Sequence, residues 1–80
     1  MGNKILGAGE HTINIQGFVS RADGTTITGL TINDQELTDL TGYWPEGTTF
    51  AAGELFLFAS TDKVTAITVG EDGSINAIRA

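Results

Sequence analysis

His11-Thr12-Ile13-Asn14-Ile15-Gln16-Gly17-Phe18-Val19-Ser20 decides the fold class. From Thr12 to Gln16 polar and apolar residues alternate strictly, the period of a strand with one wet face and one buried face. Phe18 and Val19 then put apolar groups on both faces just after Gly17. Residues 11–20 therefore read as a strand with a bend or bulge at the glycine. The whole chain carries the same message, since threonine is its commonest residue and glycine follows with 11. β-Branched side chains lose χ1 freedom in helices and pack well on a pleat.

Outward from this strand, Asp23-Gly24 between two alternating runs predicts a hairpin. The return strand from Thr25 to Ile32 has Ile27 in one phase and Leu30 and Ile32 in the other, so a bulge or corner is expected at Gly29. Asn33 to Leu40 is the one candidate helix: Asn33 can cap it, Glu36 holds the capping-box position, and Leu37 and Leu40 share a face. Thr38, Thr41 and Gly42 limit it to a turn or two, and a loop or short strand is the alternative. Trp44-Pro45-Glu46-Gly47 suits a type I turn with Pro second and Gly fourth.

Gly53 to Ala59 is the most apolar stretch, with Leu55 and Leu57 pointing one way and Phe56 and Phe58 the other, so a strand here needs cover on both faces. Ser60 to Lys63 reads as a turn and Val64 to Val69 as a strand. Gly70-Glu71-Asp72-Gly73 then closes a second hairpin with Ser74 to Ile78. The expected fold is all-β, a small antiparallel sandwich or barrel of about five to seven short strands, with at most one short helical turn near 34–41. Residues 1–80 form a single β domain, with 1–10 an extended N-terminal arm ahead of the strands.

At 80 residues, with 40% hydrophobic and 18% charged residues, the chain is globular and its lone core is marginal. Ten acidic against four basic residues give a net charge of −6. That charge repels phosphate backbones, so neither nucleic acid nor an anionic membrane is an expected partner. The absence of cysteine excludes disulfides and thiolate zinc sites. No apolar run reaches the roughly 18 residues of a membrane span. The apolar part of the N-terminus is too short for a signal peptide, and Leu6 stands where myristoylation requires Ser or Thr.

Candidate chemistry is thin. His11 has no second His or Cys to share a metal and no nucleophile in an elbow context, which leaves a surface or strand-end histidine. The carboxylates Asp23, Asp34, Asp39, Glu46, Asp62, Glu71 and Asp72 are spread over turns and strand ends, where Asp bonds its own downstream backbone. Asn33-Asp34 and Glu71-Asp72 lack the alternating spacing of a calcium loop, and Gly7-Ala8-Gly9 is no phosphate-binding fingerprint. No catalytic residue, metal or cofactor is expected, and the chain does not read as an enzyme. Tyr43-Trp44 is either a binding platform or the lid of a small core. Leu55, Phe56, Leu57 and Phe58 are the candidate subunit interface, because one small monomer cannot easily cover both of their faces.

The second half carries a resemblance. Gly47-Thr48-Thr49-Phe50, Gly53-Glu54-Leu55-Phe56, Lys63-Val64-Thr65-Ala66-Ile67-Thr68-Val69, Gly73-Ser74 and Ile75 to Arg79 together resemble small β-rich virion proteins of tailed bacteriophages, over about residues 45–80. The resemblance implies a capsid cement or decoration protein. Such a protein is made in the host cytoplasm, binds the major capsid protein on the outer capsid surface, and forms a homo-oligomer, with a trimer as the expected state. No catalytic residues carry over. Tyr43 and Trp44 are then the partner contact loop. The alternative is a small carbohydrate- or peptide-binding module with a Tyr43/Trp44 platform flanked by Asp39 and Glu46.

Overall fold

The computed structural model describes residues 3–80, and among them there are seven strands and no helix. In chain order these are β1 (Asn3–Leu6), β2 (Gly9–Ser20), β3 (Ile27–Ile32), β4 (Gln35–Leu37), β5 (Leu55–Leu57), β6 (Val64–Val69) and β7 (Ile75–Arg79). All pairings are antiparallel within one sheet, ordered β1-β7-β2-β6-β3-β4, with β5 on β2. The all-β class holds, and the sandwich-or-barrel alternative resolves into one sheet folded over on itself.

The register shows where it folds. Leu6 and Ser20 both flank Ile75, at one end of β7, while Ile15 flanks Arg79 at the other end. Gly9 follows Leu6 by three residues, so β2 runs down the molecule from Gly9 to Ile15 and back up to Ser20. The corner is the bulge at Ile15–Gly17, the irregularity expected from Gly17 and the usual device by which a strand changes layers. One layer is therefore β1, β7, the second half of β2, and β5. The other is the first half of β2, β6, β3 and β4.

The core lies between the layers. Leu6, Phe18, Ile75 and Ala77 face in from one side, and Leu30, Ile32, Val64, Ile67 and Val69 from the other. The only buried polar side chains among the described residues, Ser20 and Thr25, both donate to Ala22 O, at 2.9 and 2.8 Å. That removes the cost of burying a bare hydroxyl.

Four local expectations change. The Asp23-Gly24 turn closes no hairpin, because β2 pairs with β5, β6 and β7 and never with β3. Gly70–Gly73 closes none either: the turn is there, with Gly73 N–H donating to Gly70 O at 3.1 Å, but it carries the chain from one layer to the other. Both acidic turns are corners at the same end of the molecule, zipped together by Gly70 N–H to Thr26 O (2.8 Å) and Arg21 N–H to Ser74 O (2.9 Å). Near 34–41 the alternative reading, a short strand, forms in place of the helical turn. Asn33 and Asp34 take left-handed φ values of 52° and 67°, the type I′ pattern, and fold Gln35–Leu37 back on β3 as a two-residue hairpin. Finally, the proline turn starts one residue later than expected. Thr48 N–H donates to Pro45 O at 3.1 Å, and Gly47, at φ 80°, takes the position that requires a left-handed residue.

The N-terminal segment is no free arm from Asn3 onward, since Asn3–Leu6 pairs with β7. Met1 and Gly2, the start of that expected arm, lie outside the described residues.

Candidate functional site

The sequence motifs are dispersed by the fold. His11 is half-buried on β2, with Nε2 2.8 Å from Gly7 O, a strand-end contact and not a cluster. Every carboxylate but half-buried Asp62 is exposed, and several work locally. Asp23 Oδ1 accepts from Ala52 N–H (2.9 Å), Glu54 Oε1 from Ala51 N–H (2.7 Å), and Asp39 Oδ1 from Thr41 N–H and Oγ1–H (3.1 and 2.7 Å). These Thr41 bonds, the hydroxyl first, hold the Asp39 carboxyl below its usual range. Among the described residues no three His, Asp or Glu side chains come together as a metal-binding group.

What the fold does assemble is aromatic. All six aromatic residues, Phe18, Tyr43, Trp44, Phe50, Phe56 and Phe58, belong to one cluster. Phe18 is its hub, with ring centroids 5.3–6.3 Å from Trp44, Phe50, Phe56 and Phe58. Trp44 stands nearly perpendicular to Phe18, Phe50 and Phe56, the edge-to-face geometry favoured by the ring quadrupoles. The connection from 38 to 54 is thus a lid. Its first turn is held by Tyr43 and Trp44 N–H groups donating to Leu40 O (2.9 and 3.1 Å), and Leu40, Trp44 and Phe50 hang from it into the core. Tyr43 and Trp44 belong to this lid and are both half-buried, so each ring packs on the core and keeps part of its surface outward.

The stretch Leu55–Phe58 divides by phase. Phe56 and Phe58 point inward into that cluster, while Leu55 and Leu57 stay 56% and 59% exposed. Register extends their row across the layer. Leu55 lies beside Val19, which lies beside Asn76, which lies beside Ile5. Leu57 lies beside Gly17, then Ile78, then Asn3. Directly paired residues share a face, so Ile5, Val19, Leu55, Leu57 and Ile78 make one outward apolar surface. Ile5, at 58%, completes the set of exposed large hydrophobics among the described residues, and all three are here. No carboxylate sits in these rows, although the chain has ten. Sequence reasoning found Leu55 and Leu57 but missed Ile5 and Ile78. The available signal was adjacent apolar pairs, Ile5-Leu6 and Ala77-Ile78, the same two-faced pattern that exposed Phe18-Val19.

The outer surface of the second layer is built differently. Its rows run Glu36, Thr31, Ala66, Thr12 and Gly29, Thr68, Glu10. This is an ordinary wet sheet face. Separately, a groove of about 550 Å³ opens between the start of β3 and the lid, with Trp44, Asp39 and Glu46 on its walls. Tyr43 is not among its lining residues. Among the described residues no helix is long and apolar enough to cross a membrane. No family model, curated protein or solved structure matches this chain.

Proposed function

We propose that the chain is a non-enzymatic structural protein that works by docking its apolar outer sheet face, and that its place is the outer surface of a phage capsid as a decoration protein. The single observation that carries the docking reading is the clustering of Ile5, Leu55 and Leu57 on one carboxylate-free face of a chain of net charge −6. Its first partner is a second copy. Two such chains repel over most of their surface, and this face lets them meet without opposing carboxylates.

The face spans four strands about 4.8 Å apart and a few residues along each, roughly 20 by 15 Å, a few hundred Å² per partner. That lies below the usual range for a stable isolated interface. Association is therefore weak between free chains and strong where many copies are held side by side, as on a lattice. The capsid placement rests on the resemblance of residues 45–80, with the lid carrying Tyr43 and Trp44 as the contact toward the major capsid protein.

Two measurements test this. Light scattering behind a sizing column, over a concentration series, should show mass rising from 8.4 kDa toward two or three times that value. Two-fold packing of like faces closes at a dimer and a three-fold arrangement at a trimer. A mass fixed at that of one chain up to about 1 mM would remove the docking reading. Mass spectrometry of density-banded particles of the encoding phage should find the chain alongside the capsid protein. Its absence would remove the virion placement and leave self-association standing.

A further inference from the structure

We propose that the groove beside Trp44 binds a neutral carbohydrate. This inference is independent of the apolar docking face, none of whose residues lines the groove, and shares only Trp44 with the capsid contact proposed above. The volume of about 550 Å³ falls within the range of small-molecule sites. The character of the walls selects the ligand. Thr28, Thr38, Asp39, Trp44 and Glu46 supply hydroxyls, carboxylates and part of an indole ring, and no Lys or Arg lines the groove.

Each ligand class meets these walls differently. Phosphates, sulfates and uronates meet two carboxylates and no cation, so anions are repelled. A purely apolar ligand gains contact with Ile27, Leu40, Trp44 and Pro45 but strips water from Asp39 and Glu46 without replacing those hydrogen bonds. A neutral sugar suits both kinds of wall: its hydroxyls can donate to the carboxylates and exchange hydrogen bonds with the threonines, and its C–H groups can rest on the apolar lining of Ile27, Leu40, Trp44 and Pro45.

The rims are preorganised by bonds of their own. Thr41 fixes Asp39 through Oδ1, which leaves Oδ2 as an acceptor. Thr48 Oγ1 donates to Pro45 O at 2.6 Å and fixes the opposite lip, which carries Glu46. Thr28 and Thr38 are exposed and so present their hydroxyls at no desolvation cost beforehand. The same Thr41 bonds favour the charged form of the Asp39 carboxyl.

Trp44 is the only tryptophan, so its emission reports on the groove directly. The full chain is titrated with maltotetraose, cellotetraose and mannotetraose, with tetragalacturonate as the anionic arm and penta-alanine as the peptide arm. The expected result is a saturable emission shift with at least one neutral sugar, at a Kd of about 0.1–1 mM, and none with the other two arms. Thr38→Val and Glu46→Gln, both at exposed positions, should each weaken binding about tenfold with the free-protein circular dichroism unchanged. Leu57→Asp should leave sugar binding intact while abolishing self-association, which separates the two readings. The proposal is overturned by no saturable response to any neutral sugar up to about 10 mM, by a response to tetragalacturonate or penta-alanine equal to that of the sugars, or by unchanged affinity in a Thr38→Val/Glu46→Gln double variant.

Discussion

The molecule contains its own control experiment in its two outer sheet faces. Both belong to one continuous sheet and both are backed by the same core, yet one is threonine and glutamate and the other leucine, isoleucine and valine. On the β6–β3 layer the rows Glu36-Thr31-Ala66-Thr12 and Gly29-Thr68-Glu10 follow the rule for a half-solvated sheet, apolar in and polar out. On the β7–β2–β5 layer the outward rows contain Ile5, Val19, Leu55, Leu57 and Ile78. Folding does not demand the second arrangement, since the first layer folds without it. A surface that folding does not require and solvation disfavours is one that something else covers.

The largest expected effect separates the two faces by one glycine in each. Gly17 sits in the middle of the apolar face, where an added Cβ lies 2.5 Å from Phe56 O and 2.6 Å from Leu57 Cδ2. The first of these is backbone and cannot turn aside. Gly17→Ala should therefore destabilise the fold by about 2–3 kcal/mol, by prying β5 off β2. Gly29 sits on the threonine face, and its nearest neighbour is Thr68 Oγ1 at 3.4 Å, ordinary contact. Gly29→Ala should be neutral or stabilising by about 0.5 kcal/mol, through the entropy of the unfolded chain. Thermal melts should place the two variants more than about 10 °C apart, and equal melting temperatures would mean the faces are equally tolerant.

A smaller effect tests what the apolar face is for. Leu55→Thr/Leu57→Thr gives this layer the chemistry of the other one. Because both side chains are more than half exposed in the monomer, its stability should change by less than about 1 kcal/mol. Self-association should weaken at least tenfold, seen as a monomer mass over the whole concentration series. If association survives, the contact lies elsewhere. If the monomer unfolds, Leu55 and Leu57 are part of the core despite their exposure.

The sequence revealed five of the seven strands and their phases, but not β1 and β4, nor the connections between strands. The alternation of Thr12 to Gln16, the break at Gly17 and the phase change at Gly29 were all legible, because strand period and bulge are local properties. The two acidic turns were misjudged as hairpins for a physical reason. A corner between layers and a hairpin need the same tight Asp-Gly chemistry, and the difference lies in which strands occupy the edges of β2, a matter of residues far away in the chain, in β5, β6 and β7. Asn33-Asp34 misled in a similar way, because the short polar side chain that caps a helix also tolerates the left-handed turn that was built instead. As for the site, two-sided apolarity marked Leu55 and Leu57. Nothing local could join them to Ile5, which meets their row only through Asn76 and Val19.

The β3–β4 hairpin offers the finest test of how the two layers differ. It is the one place where the threonine layer is closed by a tight two-residue turn between neighbouring strands, whereas the apolar layer is joined through corners and the lid. Asn33 and Asp34 both hold positive φ without being glycine, and Asp34, at 67°, is the position where type I′ turns prefer glycine. Its carboxylate is exposed, whereas Asn33 Oδ1 accepts from Lys63 N–H at 3.1 Å and its own N–H donates to Lys63 O at 3.0 Å. Asp34→Gly should therefore relieve strain without losing a bond and stabilise the chain by about 0.5–1 kcal/mol, raising the melting temperature by several degrees. Amide exchange localises the gain: protection should rise at Gln35 to Leu37 and their partners on β3, and stay unchanged on β5 and β1. A gain spread evenly over both layers would mean that they open as a single unit, and that the contrast between their surfaces has no counterpart in their stability.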